Sequence, residues 1–202
     1  MRSEKVWEEK LRSQFISATF TPRLQRDLNT ISLPKDMPSS IESTYIFGET
    51  NTGKTVLAAF MLLEEQKRCY LNGLLKNEKY DHCIFTNTSD LIFEIRNIIE
   101  HRNNNDDDDD NNEESKTEQQ LIDYYSNVHL LVLDDFGTVK PSDWVLQILY
   151  LIINRRYEFL KKTIFTSNLS LEDLTHNLKD SRIPARIYRM TRIIHKTPYD
   201  EI

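Results

Sequence analysis

The eight residues Gly48–Thr55 constrain the fold of this chain more than any other stretch. They read GETNTGKT and match the pattern G-x-x-x-x-G-K-[ST] at every fixed position. Glycines let the backbone curl until its N–H groups surround a phosphate, and a helix that begins there directs its positive end at the same phosphate. The run Tyr45–Phe47 precedes the octet as a buried strand end, and Val56–Leu63 continues it as a helix. The stretch therefore predicts a strand, a phosphate-binding loop and a helix.

The loop residues have separate expected roles at a nucleoside triphosphate. Lys54 is expected to reach the outer phosphates, and Thr55 to offer its hydroxyl to Mg²⁺. The backbone of the other loop residues is expected to bind the phosphates: Gly48, Glu49, Thr50, Asn51, Thr52 and Gly53. The alternative is a chance match on a surface loop, which the flanking strand and helix disfavour.

Two carboxylates follow an apolar run that is typical of a central parallel strand. His129–Leu133 is nearly continuous in apolar residues and ends in Asp134 and Asp135. Asp134 is expected to hold Mg²⁺, and Asp135 to orient the water that attacks the terminal phosphate. Asn168, at the end of the next strand, is expected to hydrogen-bond that water or phosphate. A helix cap or a solvated turn is the alternative interpretation of the pair.

The order of elements indicates an α/β fold. Five predicted strands alternate with helices, which calls for a five-stranded parallel sheet with helices on both faces. The chain has 202 residues, 39% of them hydrophobic, enough for one such core and little more. We therefore predict one nucleotide-binding domain over residues 41–202, preceded by a short helical segment over residues 1–40.

The segment 1–40 is predicted to contain two short helices. Trp7, Leu11 and Phe15 repeat every four residues among charged side chains, and Thr21-Pro22 begins a second helix with Leu24 and Leu28 on one face. The apolar stripe needs a partner. Packing on the protein's own core is the favoured interpretation, and docking of another protein is the alternative.

The net charge of −6 comes from one acidic stretch. Residues 101–120 carry eight acidic side chains against Arg102 and Lys116, so the rest of the chain is neutral overall. We interpret about 102–116 as a disordered insertion, because it has little to bury and repels itself. A metal site in Asp106–Asp110 is not expected. The acidic balance does not exclude nucleic-acid binding, which depends on where the charge lies.

Other composition features narrow the class of protein. Cys69 and Cys83 lack metal-ligand spacing and are interpreted as buried structural cysteines. No stretch has the length of a membrane span, and the charged N-terminus has no signal-peptide pattern. We expect no membrane partner and a cytoplasmic location.

The C-terminal third contains the densest basic cluster. Arg182, Arg186 and Arg189 are spaced by four and three residues, which places them on one helical face. Such a stripe is usually a solvated surface. In a nucleotide-hydrolysing protein, however, an arginine offered to a neighbouring subunit's nucleotide can stabilise the transition state.

Taken together, these motifs resemble a known family. GETNTGKT, FTNTSDLIFEIR, SNVHLLVLDDFG, INRRYEFLKKTIFTSNLS and SRIPARIYRM occur in the order of the AAA+ core of replicative helicase loaders of the DnaC/DnaI type, with IstB-like ATPases as the nearest cousins. The resemblance runs from Tyr45 to His195. It implies that Gly48–Thr55 is Walker A, that Asp134 and Asp135 are Walker B, and that Asn168 is sensor 1. It makes Arg186 the first and Arg182 the second choice for the arginine finger.

The resemblance also implies ATP and Mg²⁺ as cofactors and an ATP-dependent homo-oligomeric spiral or ring on single-stranded DNA. A DnaB-type replicative helicase is the implied protein partner, held by the N-terminal segment. Asp135 replaces the glutamate of many AAA+ proteins, which implies slow hydrolysis. No helical lid is expected after His195, and the N-terminal segment is shorter than in the larger loaders.

Three alternatives remain beside a helicase loader. The first is an IstB-like transposition ATPase that binds duplex DNA and a transposase. The second is an interaction module with a decayed nucleotide site, and the third is a small-molecule kinase. For a DNA-binding protein we expect scattered positive charge at the DNA face, with Lys140, Arg155 and Arg156 as candidates.

Overall fold

A parallel sheet of five strands forms the centre of the molecule. The computed structural model describes residues 2–31, 41–74, 82–104, 117–138 and 142–197. The strands are β1 Thr44–Gly48, β2 Cys83–Asn87, β3 Leu130–Asp134, β4 Lys162–Ser167 and β5 Arg192–Lys196. They pair in the order β2-β3-β4-β1-β5, and every pairing is parallel. The predicted five-stranded parallel sheet is thus confirmed.

The helices lie between the strands in sequence. Before β1 come α1 Arg2–Val6, a π-helical turn Trp7–Leu11, α2 Arg12–Thr19 and α3 Pro22–Thr30. The core helices are α4 Lys54–Leu71, α5 Thr88–Asn104, α6 Glu118–Asn127, α7 Asp143–Glu158, α8 Leu171–Leu178 and α9 Arg182–Met190. Because the strands are parallel, their carboxyl ends share one edge of the sheet, here called the upper edge, and their amino ends share the lower edge.

Alternate residues of the strands belong to two hydrophobic clusters, one on each face of the sheet. In β3, Leu131 and Leu133 pack with residues of α5 to α9, whereas Leu130 and Val132 pack with residues of α2 to α4. All four side chains are fully buried. This alternation explains why β3 is apolar throughout, and it confirms helices on both faces.

The N-terminal helices pack on the face that carries α4. Trp7, Phe15 and Phe20 are buried, and the Trp7 ring lies 5.8 Å from the ring of Tyr70 in α4. Leu24 and Leu28 of α3 are buried in the same cluster. The apolar stripe of this segment therefore faces the protein's own core.

Several sequence expectations fall outside the described residues. These are Lys140 and most of the predicted acidic insertion, including Asp106–Asp110. The predicted start of the insertion, at about residue 102, is wrong. Helix α5 continues to Asn104, so residues 102–104 are helical. Within the described part of the chain no helix follows β5, and no helix is long and apolar enough to cross a membrane.

The expectation that Arg156 belongs to a DNA face is wrong, whereas the same expectation for Arg155 stays a prediction. Arg156 is fully buried at the lower edge. Its guanidinium donates hydrogen bonds to five neutral oxygens: the carbonyls of Tyr125, Ser126, Val128 and Lys162 and the hydroxyl of Thr163. Burial lowers the pKa of Arg156 to about 9. Arg155 is half-exposed and pairs with Asp123. Arg156 thus holds together the end of α6, the end of α7 and the start of β4.

We expect Arg156→Met to lower the free energy of unfolding by about 3 kcal/mol or more, because it leaves buried carbonyls without donors. Arg155→Met is the matched control and should change it by less than about 1 kcal/mol, since its ion pair is solvated. Urea unfolding followed by circular dichroism measures both values. Equal effects of the two substitutions would contradict the structural role given to Arg156.

Candidate functional site

Two glycines shape the loop between β1 and α4, for different reasons. Gly53 has a φ of 79°, a left-handed conformation that starts α4 at Lys54. Gly48 has a φ of 150°, and a Cβ built on it would lie 2.0 Å from the carbonyl oxygen of Lys196 in β5. The backbone at Gly48, where the loop begins, therefore lies directly against β5. No side chain would fit at this position.

The side chain of Lys54 folds back into the phosphate loop. Its Nζ donates hydrogen bonds to the carbonyl oxygens of Gly48, at 2.9 Å, and Glu49, at 2.6 Å. Burial lowers its pKa, and the nearby carboxylates of Asp135 and Asp134 oppose that shift. A bound phosphate would offer this ammonium group a charged partner in place of the two carbonyl oxygens.

The two predicted magnesium ligands meet at the upper edge of the sheet. Thr55 begins α4 and Asp134 ends β3, yet the Thr55 hydroxyl donates a hydrogen bond of 3.0 Å to Asp134 Oδ1. Hydroxyl and carboxylate oxygens are hard donors of the kind that Mg²⁺ prefers. The donor set therefore fits the ion that the sequence implied.

Asp134 is fixed by two threonines that sequence reasoning did not single out. Thr166 of β4 donates its hydroxyl hydrogen to Asp134 Oδ1 and accepts a bond from the N–H of Asp135. Thr88, the first residue of α5, donates to the carbonyl oxygen of Asp134 at 2.9 Å. Burial raises the pKa of Asp134, and the hydrogen bonds from Thr166 and Thr55 oppose that rise. A polar residue at the end of an otherwise apolar strand was the available signal for Thr166.

At the start of α5, Thr88 and Ser89 are of the residue types that usually cap a helix, but neither does so. The Asn87 side chain accepts the bond from the Ser89 N–H, at 2.8 Å. Thr88 lies inside the helix, and its hydroxyl is committed to Asp134. The capping position therefore falls one residue earlier, on the last residue of β2.

Asp135 and Asn168 lie at the same edge. Asp135 follows β3 with a φ of 57°, and its N–H is held by Thr166. Asn168 is exposed and directly follows β4, the strand between β3 and β1. The sheet order thus places Asn168 between the end of β3 and the phosphate loop, where a terminal phosphate would lie.

The arginine helix α9 packs against α7 and α8, away from this centre. The Nε of Arg186 donates to Asn154 Oδ1 at 3.0 Å, and its guanidinium lies over the rings of Tyr150 and Tyr157. Arg182 is exposed, pairs with Asp180 and lies over Tyr150. Neither arginine belongs to the site formed by its own chain's loop and Walker B strand.

The N-terminal helices reach the side of the site where Thr55 and Asp134 lie, a contact that the sequence did not predict. A cavity of about 630 Å³ lies between them and the core. Phe20, Arg23 and Asp27 line it on one side, and Thr55 and Asp134 line it on the other. Residues of α3 therefore share this cavity with Thr55 and Asp134.

The phosphate loop, the third strand ending in Asp134 and the strand order are those of the AAA+ P-loop fold. Among solved structures, the chain is similar to the DnaC helicase loader, with 23% identity, a TM-score of 0.56 and coverage of 87% of this chain and 86% of that one. It is equally similar to DnaI, with 23% identity, a TM-score of 0.57 and coverage of 87% and 81%.

A third similar structure is the replication initiator DnaA bound to AMPPCP and single-stranded DNA. The identity is 17% and the TM-score 0.58, over 86% of this chain but 44% of that one. At these identities the likeness shows the fold. No protein-family model and no curated protein sequence matches the chain.

We expect Asp134→Asn to raise the melting temperature of the nucleotide-free protein while it removes magnesium-dependent nucleotide binding. The raised pKa of Asp134 means that the folded state disfavours the ionised form, so this carboxylate reduces stability above its folded pKa, and the loss shrinks as pH falls from that value toward the lower pKa of the unfolded chain. The difference in melting temperature between the variant and the wild type should therefore shrink as the pH is lowered from pH 8. Titration with a fluorescent ATP analogue measures the binding loss. A lower melting temperature at pH 8 would contradict this account.

Proposed function

We propose that the protein is an ATP-driven switch of DNA replication that assembles on single-stranded DNA and helps to load a replicative helicase. The observation that carries the proposal is the direct contact of Thr55 with Asp134 beside a loop that already encloses Lys54. This is the chemistry that a magnesium-bound triphosphate requires.

Hydrolysis would use the residues at the upper edge in separate roles. Lys54 binds the outer phosphates, Thr55 and Asp134 hold Mg²⁺, and Asp135 orients the attacking water with Asn168 beside the terminal phosphate. Asp135 is one methylene shorter than the glutamate found at this position in many AAA+ proteins. We therefore propose that hydrolysis is slow in the isolated protein and is accelerated by DNA or by a partner.

Completion of the site would require a second copy of the chain. Arg186 is held at its Nε, and among the described residues its terminal nitrogens make no hydrogen bond. Tyrosine rings and Asn154 orient the guanidinium at the surface of α9. An arginine held in this way can present its two terminal NH₂ groups to a neighbour's terminal phosphate. Arg182 is the second choice because its guanidinium is already paired with the Asp180 carboxylate.

The N-terminal helices would report the nucleotide state. They line the cavity that contains Thr55 and Asp134, so magnesium and phosphate binding would change the surroundings of Arg23 and Asp27. We propose that this coupling controls helicase docking by the N-terminal segment. Because Trp7 and Phe15 fill the core, the segment docks through its exposed face and not through its apolar stripe.

Single-stranded DNA would find an aromatic surface on α5 and α7. Phe93 is 63% exposed, and Arg96, one helical turn later, lies with its guanidinium 5.5 Å from the ring centre of Trp144. Exposed aromatic and arginine side chains stack on unpaired bases without sequence preference. The solved DnaA structure bound to single-stranded DNA shares this fold, which supports a similar use of the core here.

Mixed-subunit ATPase assays test the shared site. We expect Arg186→Ala and Lys54→Ala each to lower DNA-stimulated turnover by about 100-fold or more. A mixture of the two variants should recover at least about ten-fold over either alone, because one supplies an intact loop and the other an intact arginine. Arg189→Ala, on the same helix, is the control and should keep wild-type turnover. If the mixture turns over ATP no faster than either variant alone, the proposal of a shared site is contradicted.

Phe93→Ala should weaken binding of single-stranded DNA by about 5-fold to 100-fold, the effect of losing one base-stacking contact. Phe159→Ala is the matched control, since Phe159 is equally exposed but follows α7 at the lower edge. Fluorescence anisotropy with labelled oligonucleotides measures both variants. Unchanged affinity in Phe93→Ala would remove this surface from the proposal.

The same assays separate the remaining alternatives. Tighter binding of duplex than of single-stranded DNA would favour an IstB-like transposition ATPase. An unaltered Lys54→Ala variant would favour an interaction module with a decayed site. Phosphate transfer to a small molecule would favour a kinase. ATP-dependent retention of a DnaB-type helicase by the full chain is the result that the loader proposal requires.

A further inference from the structure

A second cluster of ligand-type side chains lies at the lower edge, at the far end of α4 from the phosphate loop. Glu65, Cys69 and His129 each place a potential metal-ligating atom within 4.8 Å of the others. Cys83 adjoins them, because its thiol donates a hydrogen bond to Cys69. The sequence interpretation of Cys69 and Cys83 as buried holds, but it missed the cluster because its members are far apart in the chain.

The fold explains why these four residues meet. Glu65 and Cys69 are four residues apart in α4 and therefore share one helical face. Cys83 begins β2 and pairs in register with Leu130, so His129, one residue earlier, lies at the same lower edge. Three separate elements thus bring a carboxylate, two thiols and an imidazole to one place.

Hydrogen bonds and ion pairs link the members of the cluster to one another and to nearby basic side chains. Glu65 is buried, and it accepts bonds from His129 Nε2 at 2.7 Å and from Arg68 at 3.0 Å, as well as from Lys162. Burial raises the pKa of Glu65, but the bonds from His129 and Lys162 outweigh burial and hold the pKa at about 2. The bond from Cys83 lowers the pKa of the Cys69 thiol, and Cys69 and Glu65 raise that of His129.

We propose that this cluster binds a divalent cation of the zinc class, with Cys69, His129 and Glu65 as its three protein ligands. A thiolate and an imidazole select a borderline-soft ion, in contrast to the oxygen donors of the magnesium site. The metal takes the Cys69 thiolate and the neutral imidazole, so binding releases the proton of the His129 imidazolium. The cation then replaces Lys162 as the partner of Glu65, and the partly exposed Lys162 side chain moves into solvent.

Such an ion would anchor α4 to the amino ends of β2 and β3. Glu65 lies eleven residues after Lys54 in the same helix, about 16 Å along its axis. The helix that carries Lys54 and Thr55 at its start would then be fixed at its other end. The metal site does not depend on the proposed ATPase activity, and either proposal can fail without the other.

Cobalt titration of the full chain in a phosphine reductant tests the proposal. We expect one equivalent of Co²⁺ to give the thiolate charge-transfer absorption and the visible bands of tetrahedral geometry, and Zn²⁺ to displace it. Cys69→Ser should remove the charge-transfer band, and both Cys69→Ser and His129→Gln should lower affinity by about 100-fold or more. His129→Gln keeps the test valid if Cys69→Ser does not fold, since His129 is partly exposed.

His82→Gln is the matched control, because the His82 ring stacks on His129 but is not among the proposed ligands. It should leave cobalt binding unchanged. Lys162→Met should raise zinc affinity, because it removes the cation that competes for Glu65. Binding without thiolate absorption, unchanged affinity in Cys69→Ser, or weaker zinc binding in Lys162→Met would overturn the site and leave an ion-pair network alone.

Discussion

The hydrogen bond between Thr55 and Asp134 depends on the whole sheet being parallel and correctly ordered. Thr55 reaches the upper edge because β1 leads directly into the loop and α4, and Asp134 reaches it because β3 ends there. β4 lies between the two strands and supplies Thr166, which fixes the carboxylate. A shift of β3 by one residue would turn Asp134 to the other face of the sheet and separate the pair.

Burial of Asp134 has two opposing effects. Low dielectric surroundings penalise the free carboxylate, which is why its pKa rises. The same surroundings strengthen its attraction for a divalent cation, so the protein gives up stability when empty and regains it on binding. Arg156 is the structural counterpart at the lower edge. It is also charged and buried, but the carbonyl oxygens of Tyr125, Val128 and Lys162 accept its hydrogen bonds.

Much of the fold and the nucleotide site could be predicted from local patterns. The octet Gly48–Thr55, the apolar run before Asp134 and the helix beginning at Arg182 are continuous in sequence, so periodicity and motif spacing were enough. Contacts between distant segments were not predictable in this way. Arg156 reads as a surface residue at a helix end, and Glu65, Cys69 and His129 have no common motif. In each case the sheet register decides the environment, and one sequence does not reveal that register.

The close approach of Gly48 to the carbonyl oxygen of Lys196 joins two parts of the molecule that have separate tasks. β5 is paired with β1 along its full length and follows α9 after a single residue. A movement of the phosphate loop would push directly on the strand that positions the arginine helix. Under the proposed sharing of the site between copies, an occupied loop would shift the arginine that the same subunit extends to the next copy. Nucleotide status would travel around the assembly through rigid backbone.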